Sequence, residues 1–282
     1  MELPIKPEAL KGKVVVITGA GGVICGAMSK AIAACGAKVA ILDRLLDKAE
    51  AVAEEIKKDG GIAKGYQNNV LDREDLKKVH AEINADFGPI DILINGAGGN
   101  SPKATTTQEY YAEKEKEEDI SFFDLKQEGV EFVFDLNFLG TFLPCQEFAK
   151  DMLGRKGCSI LNVSSMNAFT PLTKIPAYSA AKSSVSNFTK WLAVHFSKVG
   201  IRVNAIAPGF LVTAQNKALL FNEDGTPTAR TEKILAATPM ERFGGPEELL
   251  GATLFLIDER CASFITGVVL PIDGGFSSYA GV

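Results

Sequence analysis

The sequence contains few of the residues that bind metals or form disulfides. It has two histidines, five cysteines and one tryptophan among 282 residues. No two cysteines form a CxxC pair, their number is odd, and neither an HExxH motif nor a Cys/His cluster occurs. We therefore expect free thiols in a reducing compartment, no disulfide framework and no catalytic metal.

Long apolar runs are also missing. No run approaches the roughly 18 residues that span a bilayer, and the opening residues MELPIKPEALKGK lack the apolar core of a signal peptide. The formal net charge is −5, whereas nucleic acids and anionic membranes attract surplus Lys and Arg. We therefore expect a cytoplasmic protein that has neither nucleic acid nor membrane as a partner.

What the chain does contain is an alternation of short apolar runs with segments of helical spacing. Strands buried on both faces of a sheet read as continuous apolar runs, and strands of this kind are predicted at residues 13–17, 38–42, 90–94, 159–163, 201–206 and 268–272. A further strand is predicted near residues 62–68, after a Gly-rich break. Helical spacing fits residues 27–35, 47–58, 73–87, 132–152 and 177–198. The alternation predicts one α/β domain over residues 1–282, with a doubly wound, Rossmann-like parallel sheet.

Two segments interrupt the alternation. The first, called here the insert, covers residues 99–131 and is polar and rich in Lys and Glu. The second, called the substrate loop, covers residues 210–245 after the sixth strand. Both follow the carboxyl ends of strands, where open α/β sheets bind ligands. We expect them to form the walls of a substrate pocket.

A glycine-rich turn, TGAGGVICG at residues 18–26, follows the first strand. Such a turn lets backbone approach a pyrophosphate, and the next helix offers free N–H groups. The strict G-x-G-x-x-G pattern is absent, so a flexible turn is the alternative. Asp43 ends the second strand, where a carboxylate can accept both ribose hydroxyls and repel a 2′-phosphate, which favours NAD over NADP. Arg44 opposes that preference, because an Arg there can bind the phosphate.

Tyr178 and Lys182 lie four residues apart at the start of a predicted helix and share one face. A Tyr hydroxyl titrates near pKa ~10. A nearby ammonium lowers that pKa, so the pair can exchange a proton with an alcohol or a carbonyl. Ser165, 13 residues earlier at a strand end, can donate a hydrogen bond to a substrate oxygen. The alternatives are an ordinary amphipathic helix and a Ser that bonds local backbone.

These motifs together resemble the short-chain dehydrogenase/reductase family along the whole chain. The matching stretches are TGAGG at 18–22, Asp43, NGAG at 95–98, Asn137, NVSS at 162–165, YSAAK at 178–182, RVNAIAPGF at 202–210 and DGG at 273–275. The resemblance implies that Tyr178 is the acid/base and that Lys182 binds the nicotinamide ribose and tunes Tyr178. Ser165 is implied to orient the substrate oxygen, and Asn137 to hold a water in a proton relay.

The resemblance also implies an NAD site. Asn69 and Val70 are expected near the adenine, although the family usually has Asp in place of Asn69. Asn95 is expected to support the central strand and to contact the cofactor side. The implied cofactor-binding residues are Gly19, Gly21, Gly22, Val23, Ile24, Asp43, Arg44, Asn69, Val70, Asn95, Gly96, Ala97, Tyr178, Lys182, Pro208, Gly209 and Thr213.

Three positions depart from the family pattern. Val23 and Cys25 stand where the family turn has glycines, and Gly96 replaces the second Asn of N-N-A-G. Cys25 adds a side chain where helix and strand normally pack closely, and Val23 narrows the approach to the pyrophosphate. A shifted turn is therefore one expectation.

The two walls carry amides and ammonium groups, which suit a hydroxylated, anionic substrate. The expected substrate residues are Lys103, Ser165, Asn167, Tyr178 and Gln215. The stretches GGVICGAM, GGNSPKATT, FLVTAQNKALLFNEDGTPTART and TPMERFG resemble a subgroup that interconverts D-fructuronate and D-mannonate with NAD(H). The alternatives are a gluconate 5-dehydrogenase or another polyol or sugar dehydrogenase, a 3-oxoacyl-thioester reductase, and a non-catalytic NAD(H) sensor.

The family resemblance further implies a homotetramer. In this family the helix that carries Asn137 and the helix that carries Tyr178 pair across subunits. Trp191, on the second of these helices, is expected in an interface or in the core.

Overall fold

The computed structural model describes residues 10–213 and 220–281. Its strands are β1 (Val14–Thr18), β2 (Lys38–Asp43), β3 (Ile62–Gln67), β4 (Ile92–Asn95), β5 (Cys158–Val163), β6 (Ile201–Pro208) and β7 (Val269–Ile272). They form one parallel sheet in the order β3-β2-β1-β4-β5-β6-β7. The strand order reverses between β1 and β4, and a crevice opens at their carboxyl ends. The predicted fold class is confirmed.

Helices cover both faces of the sheet. They are α1 (Val23–Ala34), α2 (Leu46–Lys58), α3 (Arg73–Asp86), α4 (Gln127–Phe134), α5 (Gly140–Phe148), α6 (Pro176–Phe196), α7 (Ala229–Ala236), α8 (Leu250–Ile257) and α9 (Glu259–Ala262). Val15 and Ile17 of β1 pack with α1, α2 and α8, whereas Val14 and Val16 pack with α3, α5 and α6. Successive strand residues thus build two separate cores, which explains the continuous apolar runs.

The helix predicted over residues 132–152 is not continuous, and that prediction was wrong in its boundaries. The structure has α4, then a π-helical turn at Asp135–Leu139, then α5, and finally a 3-10 turn at Ala149–Met152. The Gly140 N–H donates to the carbonyl of Asp135, five residues back. Hydrophobic spacing does not report this widened turn, because the apolar face continues through it.

The insert and the substrate loop contact each other. The insert is mostly irregular, with 3-10 turns at Pro102–Ala104 and Phe122–Asp124, and its last residues begin α4. The substrate loop contains α7, and Leu211 forms a parallel bridge with Gly244. An exposed ion pair at 2.7 Å joins Lys233 of α7 to Glu109 of the insert. None of the helices in the described ranges is long and apolar enough to cross a membrane.

Candidate active site

The glycine-rich turn joins β1 to α1 and packs against the segment that follows β4. The Thr18 hydroxyl accepts hydrogen bonds from the backbone N–H groups of Gly96 at 3.1 Å and Ala97 at 3.2 Å. Gly19 has φ +65°, and a side chain there would lie 2.9 Å from the Cα of Ala97, so glycine is required. Thr18 was not among the predicted site residues, although it opens the TGAGG motif that located this turn.

Helix α1 begins directly beyond the turn. Its N-cap, Gly22, provides no side-chain hydrogen bond, and the first helical turn carries no acidic residue. Val23 is exposed and Ile24 is half-buried, and both line the cleft above the turn. The first backbone N–H groups of α1 are therefore available to an anionic group such as a phosphate.

Two of the departures from the family pattern are neighbours in space. Cys25 is buried in the first turn of α1, and a side chain at Gly96 would collide with its Sγ atom and lie 2.9 Å from the Thr18 carbonyl oxygen. The thiol of Cys25 thus fills the volume that a larger residue 96 would need. Burial raises the pKa of Cys25 to about 12, so this group packs as an uncharged thiol. Helix and sheet therefore still pack closely. Helix α1 carries the side chain, at Cys25, and the segment after β4 carries the glycine, at Gly96.

Asp43 lies at the end of β2, beside the turn. Its Oδ2 accepts the Gly21 N–H at 3.1 Å, and its Oδ1 accepts the Leu45 N–H at 3.0 Å. Each carboxylate oxygen keeps a further lone pair, so ribose hydroxyls can still bind. The Arg44 side chain is exposed. The structure therefore puts the predicted ribose carboxylate in direct contact with the predicted phosphate turn.

The two residues predicted near the adenine follow β3. Asn69 is exposed, its Oδ1 accepts the Leu71 N–H at 3.1 Å, and its own N–H donates to Asp75 Oδ2 at 2.7 Å. Val70 is buried against Gly140, where an added side chain would lie 3.0 Å from Val70 Cγ2. Part of the hydrogen-bonding capacity of Asn69 is thus used within its own turn.

Asn95 is buried at the end of β4. Its side-chain amide donates to Asn162 Oδ1 at 2.9 Å and to Cys145 Sγ at 3.1 Å, and Asn162 in turn donates to Thr189 Oγ1 at 2.9 Å. This chain of hydrogen bonds ties β4 to β5, α5 and α6. It agrees with the expected support of the central strand. The expected contact of Asn95 with the cofactor side stays a prediction, because these hydrogen bonds join Asn95 to β5 and α5.

The four predicted catalytic residues come together at the carboxyl ends of β4 and β5. Ser165 lies near the Tyr178 hydroxyl, close enough to lower the pKa of Tyr178. The Lys182 Nζ donates to the Val163 carbonyl at 2.8 Å and lies 5.7 Å from the centre of the Tyr178 ring. A side chain at Gly98 would lie 2.7 Å from Asn137 Oδ1 and 3.1 Å from Lys182 Nζ. Gly98 therefore leaves open the space onto which these two residues converge.

Asn137 occupies the π-helical turn between α4 and α5. Its side chain donates to the carbonyls of Gly99 at 2.7 Å and Val133 at 2.8 Å and accepts the Gly99 N–H at 3.2 Å. Its backbone carbonyl accepts the Thr141 hydroxyl at 2.9 Å. Such widened turns occur often at functional sites. Here the turn holds a fully buried amide against the segment that follows β4.

Burial governs the electrostatics of the pair on α6. Burial lowers the pKa of Lys182 from its ordinary value to about 8, because a buried ammonium loses its hydration. Burial also raises the pKa of Tyr178, and the hydrogen bond from Ser165 acts in the opposite direction. The sequence-based expectation of a lowered Tyr178 pKa was therefore wrong for the protein by itself. Lys182 is close to exchanging its proton at neutral pH.

The predicted substrate residues do not all lie together. Asn167 is buried in the 3-10 turn Met166–Ala168, its N–H donates to Ser165 Oγ at 3.3 Å, and its Oδ1 has no partner in the described part of the chain. Lys103 is exposed and pairs with Glu128 of α4 at 3.4 Å. Its substrate role stays a prediction that these contacts do not support. Gln215 lies outside the described residues.

The segment after β6 is held against the DGG motif. The Gly209 N–H donates to the Ile272 carbonyl at 2.9 Å, and a side chain at Gly209 would lie 2.5 Å from the Asp273 Cα. The Asp273 carboxylate accepts the N–H groups of Gly275 and Ser277, both at 2.9 Å. These contacts fix the position of Pro208 and Gly209 at the edge of the cleft.

A cavity of about 430 Å³ lies between the glycine-rich turn and the substrate loop. Gly19, Gly22, Cys25, Gly96 and Gly98 line one side, and Phe210, Leu211, Thr213, Leu220 and Arg230 line the other. Leu220 and Arg230 were not among the predicted site residues, although both lie in the stretch FLVTAQNKALLFNEDGTPTART that carries the subgroup resemblance. The open helix N-terminus, the carboxylate of Asp43 and the glycine-lined floor fit a dinucleotide.

Comparisons with known proteins agree with this geometry. The family profile described as short chain dehydrogenase matches residues 13–224. An uncharacterized oxidoreductase of Haemophilus influenzae is 61% identical over 273 residues, which cover 97% of this chain and 96% of that protein. The uncharacterized oxidoreductase UxuB of Bacillus subtilis is 52% identical over 275 residues, which cover 98% of both proteins.

A solved structure is similar over nearly the whole chain. It is a Haemophilus influenzae protein, provisionally named a D-mannonate oxidoreductase, with bound NAD. Its TM-score is 0.95 at 60% identity, covering 98% of this chain and 99% of that chain. This chain therefore belongs to the short-chain dehydrogenase family and is a nicotinamide-dependent oxidoreductase that acts on CH–OH groups.

Proposed function

We propose that the protein interconverts D-fructuronate and D-mannonate, with NAD(H) as cofactor and Tyr178 as the acid/base. The observation that carries the reaction type is the proximity of Ser165 to the Tyr178 hydroxyl, with Lys182 Nζ 5.7 Å from the centre of the Tyr178 ring. The similar structure named a D-mannonate oxidoreductase supports the choice of substrate, and its bound NAD supports the cofactor. Asp43, which faces the turn, favours NAD over NADP because a second anion there would be repelled.

Each catalytic side chain then has one task. NAD(H) supplies the hydride for reduction of the ketone and accepts it in the reverse direction. Tyr178 donates its hydroxyl proton to the carbonyl oxygen during reduction and takes it back during oxidation. Ser165 hydrogen-bonds the same substrate oxygen, which holds that oxygen next to the Tyr178 hydroxyl.

Lys182 and Asn137 replace the proton that Tyr178 has given up. The low pKa of Lys182, about 8, makes its ammonium a ready proton donor near neutral pH. Asn137 lies next to Lys182 across the space above Gly98. We propose that Asn137 positions a water between Lys182 and solvent, which completes a proton relay.

We also propose that the protein is a cytoplasmic homotetramer. Phe132 of α4, Leu139 of the π-helical turn, and Trp191 and Val194 of α6 are exposed large apolar residues. Contiguous exposed apolar surface on paired helices is typical of a subunit interface. Five free cysteines suit the reducing cytoplasm. Light scattering of the purified protein would test the tetramer, and a monomer would reject it.

An assay with the purified protein tests the function. With NADH and D-fructuronate, NADH absorbance should fall, and Tyr178→Phe should reduce turnover by about 10²- to 10⁴-fold with NADH binding retained. No turnover on D-fructuronate together with turnover on 5-ketogluconate would replace the proposed substrate by the gluconate alternative. Unchanged turnover in Tyr178→Phe would reject the assigned acid/base, whatever the substrate.

A further inference from the structure

Arg230 is a cation in the cleft that was not among the predicted site residues. It lies in the first turn of α7, in the substrate loop, and lines the cavity that the glycine-rich turn also lines. Its guanidinium forms no hydrogen bond or ion pair within residues 10–213 and 220–281. The next cation of the same helix, Lys233, is paired with Glu109. Arg230 is thus an exposed positive charge that lines the cleft and has no hydrogen-bond or ion-pair partner among the described residues.

The opposite side of the cavity offers further groups for an anion. Gly22 caps α1 without a side-chain hydrogen bond, and no acidic residue occupies the first turn of the helix. The helix N-terminus carries a partial positive charge, and its open N–H groups are donors. An anion between α1 and α7 would therefore meet backbone donors on one side and a guanidinium, with its planar set of donors, on the other.

We propose that Arg230 binds the pyrophosphate of the dinucleotide from the side opposite the glycine-rich turn. This inference rests on the NAD(H) cofactor of the proposed function and is independent of the sugar acid. The cavity that contains Arg230 is lined by Gly19, Gly22 and Gly98, whereas Ser165 and Asn167 do not line it. This position favours the diphosphate over the substrate carboxylate as the bound anion.

The contact would give the substrate loop a direct link to the cofactor. Leu220, where the second described range begins, lines the same cavity, and its carbonyl accepts the Thr228 N–H at 3.0 Å. This hydrogen bond joins the two ends of the segment from Leu220 to Thr228, and Arg230 lies two residues further on. When Arg230 binds the diphosphate, this segment covers the cofactor as one unit.

Binding measurements without any sugar acid test the proposal. Calorimetry with Arg230→Gln should show Kd values for NADH and for ADP-ribose raised roughly 10-fold or more, since a charge-assisted hydrogen bond is lost. The Kd for adenosine, which has no phosphate, should stay the same. The Kd values of Arg230→Lys for NADH and ADP-ribose should lie between those of the parent protein and those of Arg230→Gln. Lysine keeps the positive charge but lacks the planar set of donors of the guanidinium. The matched control is Lys233→Gln, which removes one charge from the same helix and should change the Kd for NADH less than two-fold.

An unchanged Kd for ADP-ribose in Arg230→Gln would overturn the proposal. A raised KM for the sugar acid in the same variant would then make Arg230 a substrate residue. Circular dichroism of each variant reports folding, and Arg230→Met provides a second neutral variant. If D-fructuronate is not a substrate but NADH and ADP-ribose bind as described, only the proposed substrate fails.

Discussion

The cofactor side and the substrate side of the cleft are held together by different kinds of contact. On the cofactor side, Thr18 binds two backbone N–H groups of the neighbouring segment, and Gly19 touches the Ala97 backbone. On the substrate side, the side chains of Lys103 and Lys233 form exposed ion pairs with Glu128 and Glu109. Exposed pairs contribute about 0–1 kcal/mol each, whereas a misplaced buried group costs several times more.

This difference determines where small changes should have large effects. A single methyl group added at a backbone contact on the cofactor side has no free space to occupy. When a charged side chain of the insert is removed, water hydrates the partner that remains, so the loss of stability is small. The three predictions that follow test this contrast, beginning with the largest expected effect.

The largest effect is expected at Gly98. Gly98→Ala places a methyl group 2.7 Å from Asn137 Oδ1 and 3.1 Å from Lys182 Nζ, and it occupies the space onto which both side chains converge. We expect turnover to fall by roughly 10²-fold or more, because a displacement of about 1 Å at a reacting centre has this size of effect. Steady-state kinetics with NADH and D-fructuronate measure it.

Gly99→Ala is the matched control for Gly98→Ala. A methyl group at Gly99 would lie 3.5 Å from Leu136 Cδ2, which is ordinary van der Waals contact. It should leave turnover within a few-fold of the parent protein. Equal losses in the two variants would show that the segment tolerates no side chain at all, and the argument from Asn137 and Lys182 would fail.

Much of the fold could be predicted from the sequence, because the signals were local. Apolar runs such as residues 13–17 and 38–42 mark strands whose two faces are both buried, and β1 and β2 lie where expected. The π-helical turn around Asn137 could not be predicted. It depends on hydrogen bonds to Gly99, which is 38 residues away, and hydrophobic spacing carries no information about such contacts.

The candidate site likewise contains residues that the sequence identifies and features that only the folded chain shows. Ser165, Tyr178 and Lys182 belong to continuous motifs, and the structure brings them together. Arg230 lies in a stretch that resembles the subgroup but carries no role by its spacing, and only the fold of the substrate loop brings it to the cavity that the glycine-rich turn also lines. The raised pKa of Tyr178 was also missed, because it is caused by burial, and burial is a property of the folded chain.

A moderate effect is expected from the Cys25 and Gly96 pair. Gly96→Ala should lower the melting temperature and weaken NADH binding several-fold, because the methyl group collides with Cys25 Sγ. Cys25→Ala in the same chain should restore much of both, since its Cβ would lie 3.6 Å from the new methyl group. Rescue should be incomplete, as the Thr18 carbonyl oxygen stays at 2.9 Å.

A double-mutant cycle with thermal melts and NADH titrations measures this coupling. Cys25→Ala alone should lower the melting temperature only by the packing that the thiol contributes. If Gly96→Ala is equally harmful with and without Cys25, the two departures from the family pattern are independent. Their proximity would then have no role in shaping the turn.

The smallest effect is expected at Lys103. Lys103→Gln removes an ammonium that is 63% exposed and 3.4 Å from Glu128, so both partners are already well hydrated. The KM for D-fructuronate should change less than about two-fold, and stability by less than about 1 kcal/mol. Lys114→Gln is the matched control, because Lys114 also pairs with an acidic residue of the insert, Asp124, at 2.8 Å. If Lys103→Gln alone raises the KM 10-fold or more, the insert contributes directly to substrate binding. The substrate side would then depend on individual side chains as strongly as the cofactor side depends on its backbone contacts.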